Sequence, residues 1–150
     1  MNKILNLEKL AVTNARKAAL TILEAGLQAI DTKKIMREIL DWNEQTKTLC
    51  VKKTEVCLSD FEHIYCVAIG KCAREAAVVI EETLGENLTG GIVLDVESGA
   101  FQKFISRVGT HPLPSAQNVS ATDEIMALLK EATERDLILA VVSGGGSSLL

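Results

Sequence analysis

Over residues 5 to about 40, apolar side chains recur at helical spacing, and Leu7, Ala11, Ala18, Ile22, Ala25 and Ala29 fall on one face of a continuous helix. Asp31 predicts an N-cap whose side-chain oxygen accepts from backbone N–H groups that lack an intrahelical partner. It closes the first helix and opens a second, with Ile35, Met36, Ile39 and Leu40 inward. Residues 1–45 are therefore expected to form a helical segment ahead of the main fold. From 46 to 58 the pattern shifts to short runs rich in Thr, Val and Cys around Lys52 and Lys53, which suits a small hairpin or two edge strands. A polar turn at 59–62 completes that stretch.

From residue 63 onward the pattern alternates between strand and helix. Tyr65, Cys66, Val67, Ala68 and Ile69 form an unbroken apolar run, as strands buried on both faces do, and it stops at Gly70 and Lys71. Residues 73–84 return to helical spacing with Ala76, Ala77, Ile80 and Leu84 inward, and Gly85 stands where a C-cap ends the helix. A strand over 92–96 completes a βαβ unit, which implies a parallel sheet. A second unit follows: a short strand over 104–108, a helix over about 118–132 capped by Ser115 or Asn118, and a buried strand over 137–142. The expected class is α/β, a Rossmann-like parallel sheet with flanking helices over residues 63–150, incomplete at its carboxy-terminal end and preceded by the helical segment.

Composition narrows the function classes. In 150 residues, 47% are hydrophobic and 24% charged, an ordinary globular balance, and the net charge of −4 is spread without a basic run, so nucleic acid is not an expected partner. The first ten residues mix Lys3, Glu8 and Lys9 with short apolar pairs, and no apolar stretch reaches membrane-spanning length; the expected setting is the cytoplasm, away from membranes. Cys50, Cys57, Cys66 and Cys72 have neither the paired spacing of a zinc site nor the density of a disulfide scaffold, and read as reduced thiols, with Cys66 in the core.

Three loops could carry chemistry. Gly70 with Lys71, and the run Ser143, Gly144, Gly145, Gly146, Ser147 and Ser148, each follow a buried strand, where ligands of open α/β sheets bind; His111-Pro112-Leu113-Pro114 is the third. Three consecutive glycines let backbone N–H groups approach an anion closely while Ser147 and Ser148 donate hydroxyls, although a tight strand-to-helix turn also needs glycine. The lysine fits no Walker A loop, since Cys72 stands where Ser or Thr would bind magnesium, and Leu149 occupies the third glycine position of a dinucleotide fingerprint. Lys71 could stabilise negative charge in a phosphoryl transfer or simply extend to water. The prolines fix φ around His111, which could bond a carboxylate or phosphate, or a backbone carbonyl. No acidic pair has a spacing that names a metal site.

Taken together, Ala15, Arg16 and Asp31 in the opening helices, Val67 through Lys71, the His111-Pro112-Leu113-Pro114 loop and residues 143–148 resemble the glycerate 2-kinase family, whose members are also labelled hydroxypyruvate reductases. The resemblance spans nearly the whole chain. It implies transfer of the γ-phosphate of ATP to the 2-hydroxyl of glycerate with magnesium, Lys71 as the catalytic lysine, and binding of phosphate or substrate by Gly70, His111 and residues 143–148. Cys72 and Ser148 depart mildly from the family pattern. Such kinases are much longer and carry a second, carboxy-terminal domain; it is expected to be absent here, and a homo-oligomer or a completing chain is an expected partner beside nucleotide and hydroxy acid. The competing readings are a catalytically incomplete module that binds anions or assembles with another chain, and a nicotinamide-dependent hydroxypyruvate reductase, against which the missing fingerprint counts.

Overall fold

The computed structural model describes residues 2–150. The opening segment contains three helices, α1 (Leu7–Leu10), α2 (Asn14–Ala29) and α3 (Thr32–Ile39). The expected continuous first helix is broken because Thr13, in extended conformation, caps α2, its side chain accepting from the Arg16 N–H. Asp31 caps α3 as expected, accepting from the Lys34 N–H at 2.9 Å. The expected inward face is not the one that forms: Ile22 is 74% exposed, and the buried residue of α2 is Glu24. Its carboxylate takes the N–H groups of Lys3 and Ile4 and a bond from Gln28, and the two backbone bonds hold its pKa below the ordinary glutamate value.

Helix gives way to strand earlier than the pattern predicts. β1 (Leu40–Asn43), β2 (Thr48–Val51) and β3 (Thr54–Cys57) form a three-stranded antiparallel sheet in the order β1-β2-β3. The 46–58 hairpin is present, and Leu40 serves as a strand residue rather than a helical one, pairing with Val51. Local periodicity reads the Ile39 and Leu40 pair equally well as helix; the pairing across to β2 decides it.

The second sheet is parallel and built from β4 (His63–Ile69), β5 (Gly90–Asp95), β6 (Phe104–Val108) and β7 (Asp136–Val142), ordered β6-β5-β4-β7. α4 (Ala73–Leu84) joins β4 to β5, and α5 (Ala116–Glu131) joins β6 to β7. One core cluster joins the α4 residues Ala76, Ala77, Ile80 and Leu84 with Cys66 and Ala68 of β4; the other gathers Val67, Ile69, Ile92 and Leu94 with Ala121 and Ile125 of α5. β7 corrects the expectation of a buried strand: it pairs with β4 alone among the described residues, and Val142 is 72% exposed. Beside β7 lies an apolar groove of about 370 Å³ whose lining includes Met36, Leu49, Ile80, Leu139 and Val141. No helix among the described residues is long and apolar enough to cross a membrane.

Cys66 sits at the centre of β4, fully buried, and burial pushes its thiol up to about 12. Thiolate is the reactive form. In the native protein at neutral pH a disulfide-exchange reagent is therefore expected to titrate Cys50, Cys57 and Cys72, all partly exposed, and to reach Cys66 only after denaturation. Rapid reaction of all four thiols would contradict this packing.

Candidate functional site

The chain runs from β4 outward to β5 and β6 and then crosses back to place β7 on the other side of β4. Such a reversal opens a crevice at the carboxyl ends of the two strands that part, where α/β sheets bind ligands. Gly70 and Lys71 leave β4 at this point and Ser143 leaves β7 beside them.

The two loops are fastened by their backbones. The Ser143 N–H donates to the Ile69 carbonyl at 2.8 Å, and the Lys71 N–H donates to the Gly144 carbonyl at 3.0 Å. Gly70 has φ +119°, and a Cβ built on it would lie 2.2 Å from Ser143 Oγ and 2.6 Å from Ser143 O, so glycine is required by both space and conformation. Ser143 Oγ accepts the Cys72 N–H at 3.1 Å and donates to Ile69 O at 3.4 Å. Its hydroxyl is thus engaged in holding the start of α4.

A second cap on α4 comes from a residue the sequence reading overlooked. Asp95, at the end of β5 and 2% exposed, accepts the Arg74 N–H at 2.8 Å and the Val96 N–H at 2.6 Å. With Cys72 and Arg74 bonded in this way, the first turn of α4 is satisfied from within the protein. A carboxylate inside an otherwise apolar strand was the available signal, and the expected strand over 92–96 ran past it.

At the rim, Lys71 and His111 converge on Gly145. A Cβ at Gly145, which has φ +88°, would come within 3.0 Å of Lys71 Cε, 3.2 Å of His111 Cδ2 and 3.3 Å of His111 Nε2. Both side chains are exposed, and among the described residues neither has an ion pair or a side-chain hydrogen bond. His111 does not bond a backbone carbonyl, one of the two roles open to it from sequence. Its loop reaches the crevice from the far side of the sheet, with the Gly109 N–H on Asp95 O at 2.9 Å, the Thr110 hydroxyl on Leu113 O at 2.7 Å and a cis His111-Pro112 bond.

The remaining loop residues divide by role. Gly144 is exposed with open space around it, Gly146 is buried and begins the short helix α6 (Gly146–Leu149), and the Gly146 N–H bonds Ser143 O at 3.1 Å. Ser148 Oγ donates to Gly145 O at 3.2 Å, whereas Ser147 is exposed. The strand-to-helix turn thus lies within the glycines, and the helix begins at the third of them. The N–H groups of Gly144 and Gly145 have no partner among the hydrogen bonds of the described residues, so they remain available to an acceptor. No group of three or more His, Cys, Asp or Glu among the described residues is arranged to hold a metal ion, and both Asp95 oxygens accept backbone N–H groups. Among the described residues, no cluster of three such side chains is present for the magnesium that the resemblance implies.

Comparison with known proteins agrees with this architecture. The family described as Domain of unknown function (DUF4147) matches residues 18–150. The chain is 26% identical over 147 residues to a glycerate 2-kinase of Picrophilus torridus, covering 96% of this chain and 32% of that protein. It is 31% identical over 96 residues to a glycerate 2-kinase of Pyrococcus horikoshii, covering 57% of this chain and 20% of the relative. Among solved structures, a glycerate kinase of Thermotoga maritima is similar with a TM-score of 0.68 at 25% identity, over 89% of this chain and 29% of that one. A Pyrococcus horikoshii protein shares the fold, with a TM-score of 0.77 at 22% identity over 93% of this chain and 31% of that one. The similarity to glycerate 2-kinases and the α/β class are both borne out, and the chain spans about a third or less of the length of these curated relatives.

Proposed function

Because the chain belongs to the family described as Domain of unknown function (DUF4147), and its curated relatives are named glycerate kinases, we propose that it takes part in phosphoryl transfer from ATP to a small hydroxy acid. The substrate of this reading is glycerate, the product 2-phosphoglycerate and the setting cytoplasmic. The supporting observation is the pair Lys71 and His111, whose side chains have no partner among the described residues and flank Gly145 at the crevice between β4 and β7.

Phosphoryl transfer asks little covalent chemistry of a protein and much positioning and charge stabilisation. The Lys71 ammonium stands against the γ-phosphate as its bond to ADP breaks, the 2-hydroxyl oxygen bonds to phosphorus and the hydroxyl proton passes to water. The free N–H groups of Gly144 and Gly145 donate to phosphate oxygens, as glycine-rich turns do. His111, on the opposite side of Gly145, hydrogen-bonds the substrate carboxylate or a phosphate oxygen. Gly70 and Ser143 keep the two loops at this separation, and Ser147 and Ser148 line the outer lip.

The experiment is glycerate-dependent release of ADP, with the product identified by phosphorus NMR. Formation of 2-phosphoglycerate is the expected result. A folded protein that neither binds ADP nor turns over with any short hydroxy acid would end the kinase reading. A second reading, an assembly module that binds anions and turns over only with another polypeptide, is favoured by the unpaired outer edge of β7 and the apolar groove beside it. It predicts ADP binding without ADP release by the chain alone.

A further inference from the structure

The sequence offers Asn118 as a helix cap, and it does close a capping box with Ser115 at the start of α5. Its contacts extend well beyond that task. The side chain is 1% exposed, and Oδ1 accepts from the Thr110 N–H at 2.9 Å, the Ser115 N–H at 3.0 Å and the Ser115 hydroxyl at 3.0 Å, with the Thr110 hydroxyl, whose proton goes to Leu113 O, 3.1 Å away. Nδ2 shares its two hydrogens among three carbonyls, Thr110 O at 3.1 Å and, across 30 and 31 residues of chain, Ser148 O at 3.1 Å and Leu149 O at 3.2 Å. Fixed N–H donors surround one end of the amide and fixed carbonyls the other, so a single orientation satisfies both. Gly109 fits the same junction: a Cβ there would lie 2.7 Å from Leu149 Cδ2 and 3.0 Å from Asn118 Nδ2.

We propose that Asn118 is a positioning residue that locks the His111 loop to the glycine-serine loop, so that His111 and Lys71 hold their spacing across Gly145. A simple cap needs only the acceptor. The donor end reaches a different loop, and it is the feature that a capping role leaves unexplained. The mechanical part of the proposal stands on these contacts alone, whereas its catalytic consequence rests on the kinase reading.

Two substitutions separate the halves of the amide. Asn118→Asp keeps an oxygen for Thr110 and Ser115 but turns a second oxygen against the carbonyls of Ser148 and Leu149; Asn118→Ala removes both ends. Amide hydrogen exchange followed by NMR on the full chain, with no ligand present, is the readout. In Asn118→Asp the Thr110 and Ser115 amides are expected to keep their protection while Gly146, Ser148 and Leu150 exchange about tenfold faster. In Asn118→Ala both groups accelerate and the β4 and β5 amides do not. Wild-type exchange at Gly146, Ser148 and Leu150 in Asn118→Asp would overturn the coupling, and this variant decides alone if Asn118→Ala does not fold. In glycerate-dependent turnover, Asn118→Asp is expected to lower kcat by about tenfold with KM for ATP within about twofold. Unchanged kcat with a loosened turn would remove the positioning role. Absent turnover in the wild type removes the kinase reading instead, and the exchange result still decides the coupling.

Discussion

Gly70→Ala is expected to destabilise the protein by about 3–5 kcal/mol, a large fraction of the about 5–15 kcal/mol that holds a domain folded. At φ +119° an alanine is strained by about 1–3 kcal/mol before any contact is considered. Its Cβ would also sit 2.2 Å from Ser143 Oγ and 2.6 Å from Ser143 O, and the second of these atoms is backbone. The end of β7 can retreat only by giving up the Ser143 N–H bond to Ile69 O and the Lys71 N–H bond to Gly144 O. Each of those is worth about 1 kcal/mol. The control is Gly144→Ala, two residues along the partner loop: nothing lies within 4 Å of a Cβ there, so its stability should stay within about 0.5 kcal/mol of wild type. Urea denaturation followed by circular dichroism compares the two directly. Equal losses in both variants would mean that the loops are not packed as described.

The strands and helix that frame the crevice were the legible part of the sequence. The apolar run ending at Ile69 and the amphipathic stretch closed by Gly85 carry their boundaries in local chemistry, and β4 and α4 form where that chemistry puts them. Lys71 and His111 were legible as residues at loop positions, but their common distance from Gly145 was not, because it depends on how the loop after β6 returns across the sheet. The same limit hid Asp95 and the donor end of Asn118: a polar residue whose partners lie 21 to 31 residues away leaves no periodic trace.

The misreadings share one physical cause. Apolar periodicity reports that a face wants burial and is silent about what arrives to bury it. In α2 the expected stripe through Ile22 stays exposed, and the face that turns inward carries Glu24, whose carboxylate the amino-terminal N–H groups satisfy. In β7 a run as apolar as β4 has a partner on one side alone among the described residues, since strand order is fixed by crossovers and not by composition. The engagement of Ser143 follows the same rule: its place in the glycine-serine run says nothing of the Cys72 N–H that the neighbouring strand brings to its hydroxyl.

Lys71→Ala is expected to lower kcat for glycerate-dependent phosphoryl transfer by about a hundredfold to a thousandfold, the usual loss when one preorganised group facing developing charge is removed. Stability should barely change, because the side chain is exposed and the backbone bond from residue 71 to Gly144 O survives in alanine. KM for glycerate should move little if the ammonium acts on the transferred phosphoryl group rather than on the acid, and this division distinguishes charge stabilisation from simple substrate binding. Lys71→Arg keeps the charge but sets a planar guanidinium against Gly145, where the lysine stem already leaves only 3.0 Å to a notional Cβ. It should recover part of the lost kcat and not all of it. Should Lys71→Ala retain more than about a third of wild-type kcat, the lysine serves only to reach water at the rim, and the charge that stabilises the transferred phosphoryl group must come from elsewhere.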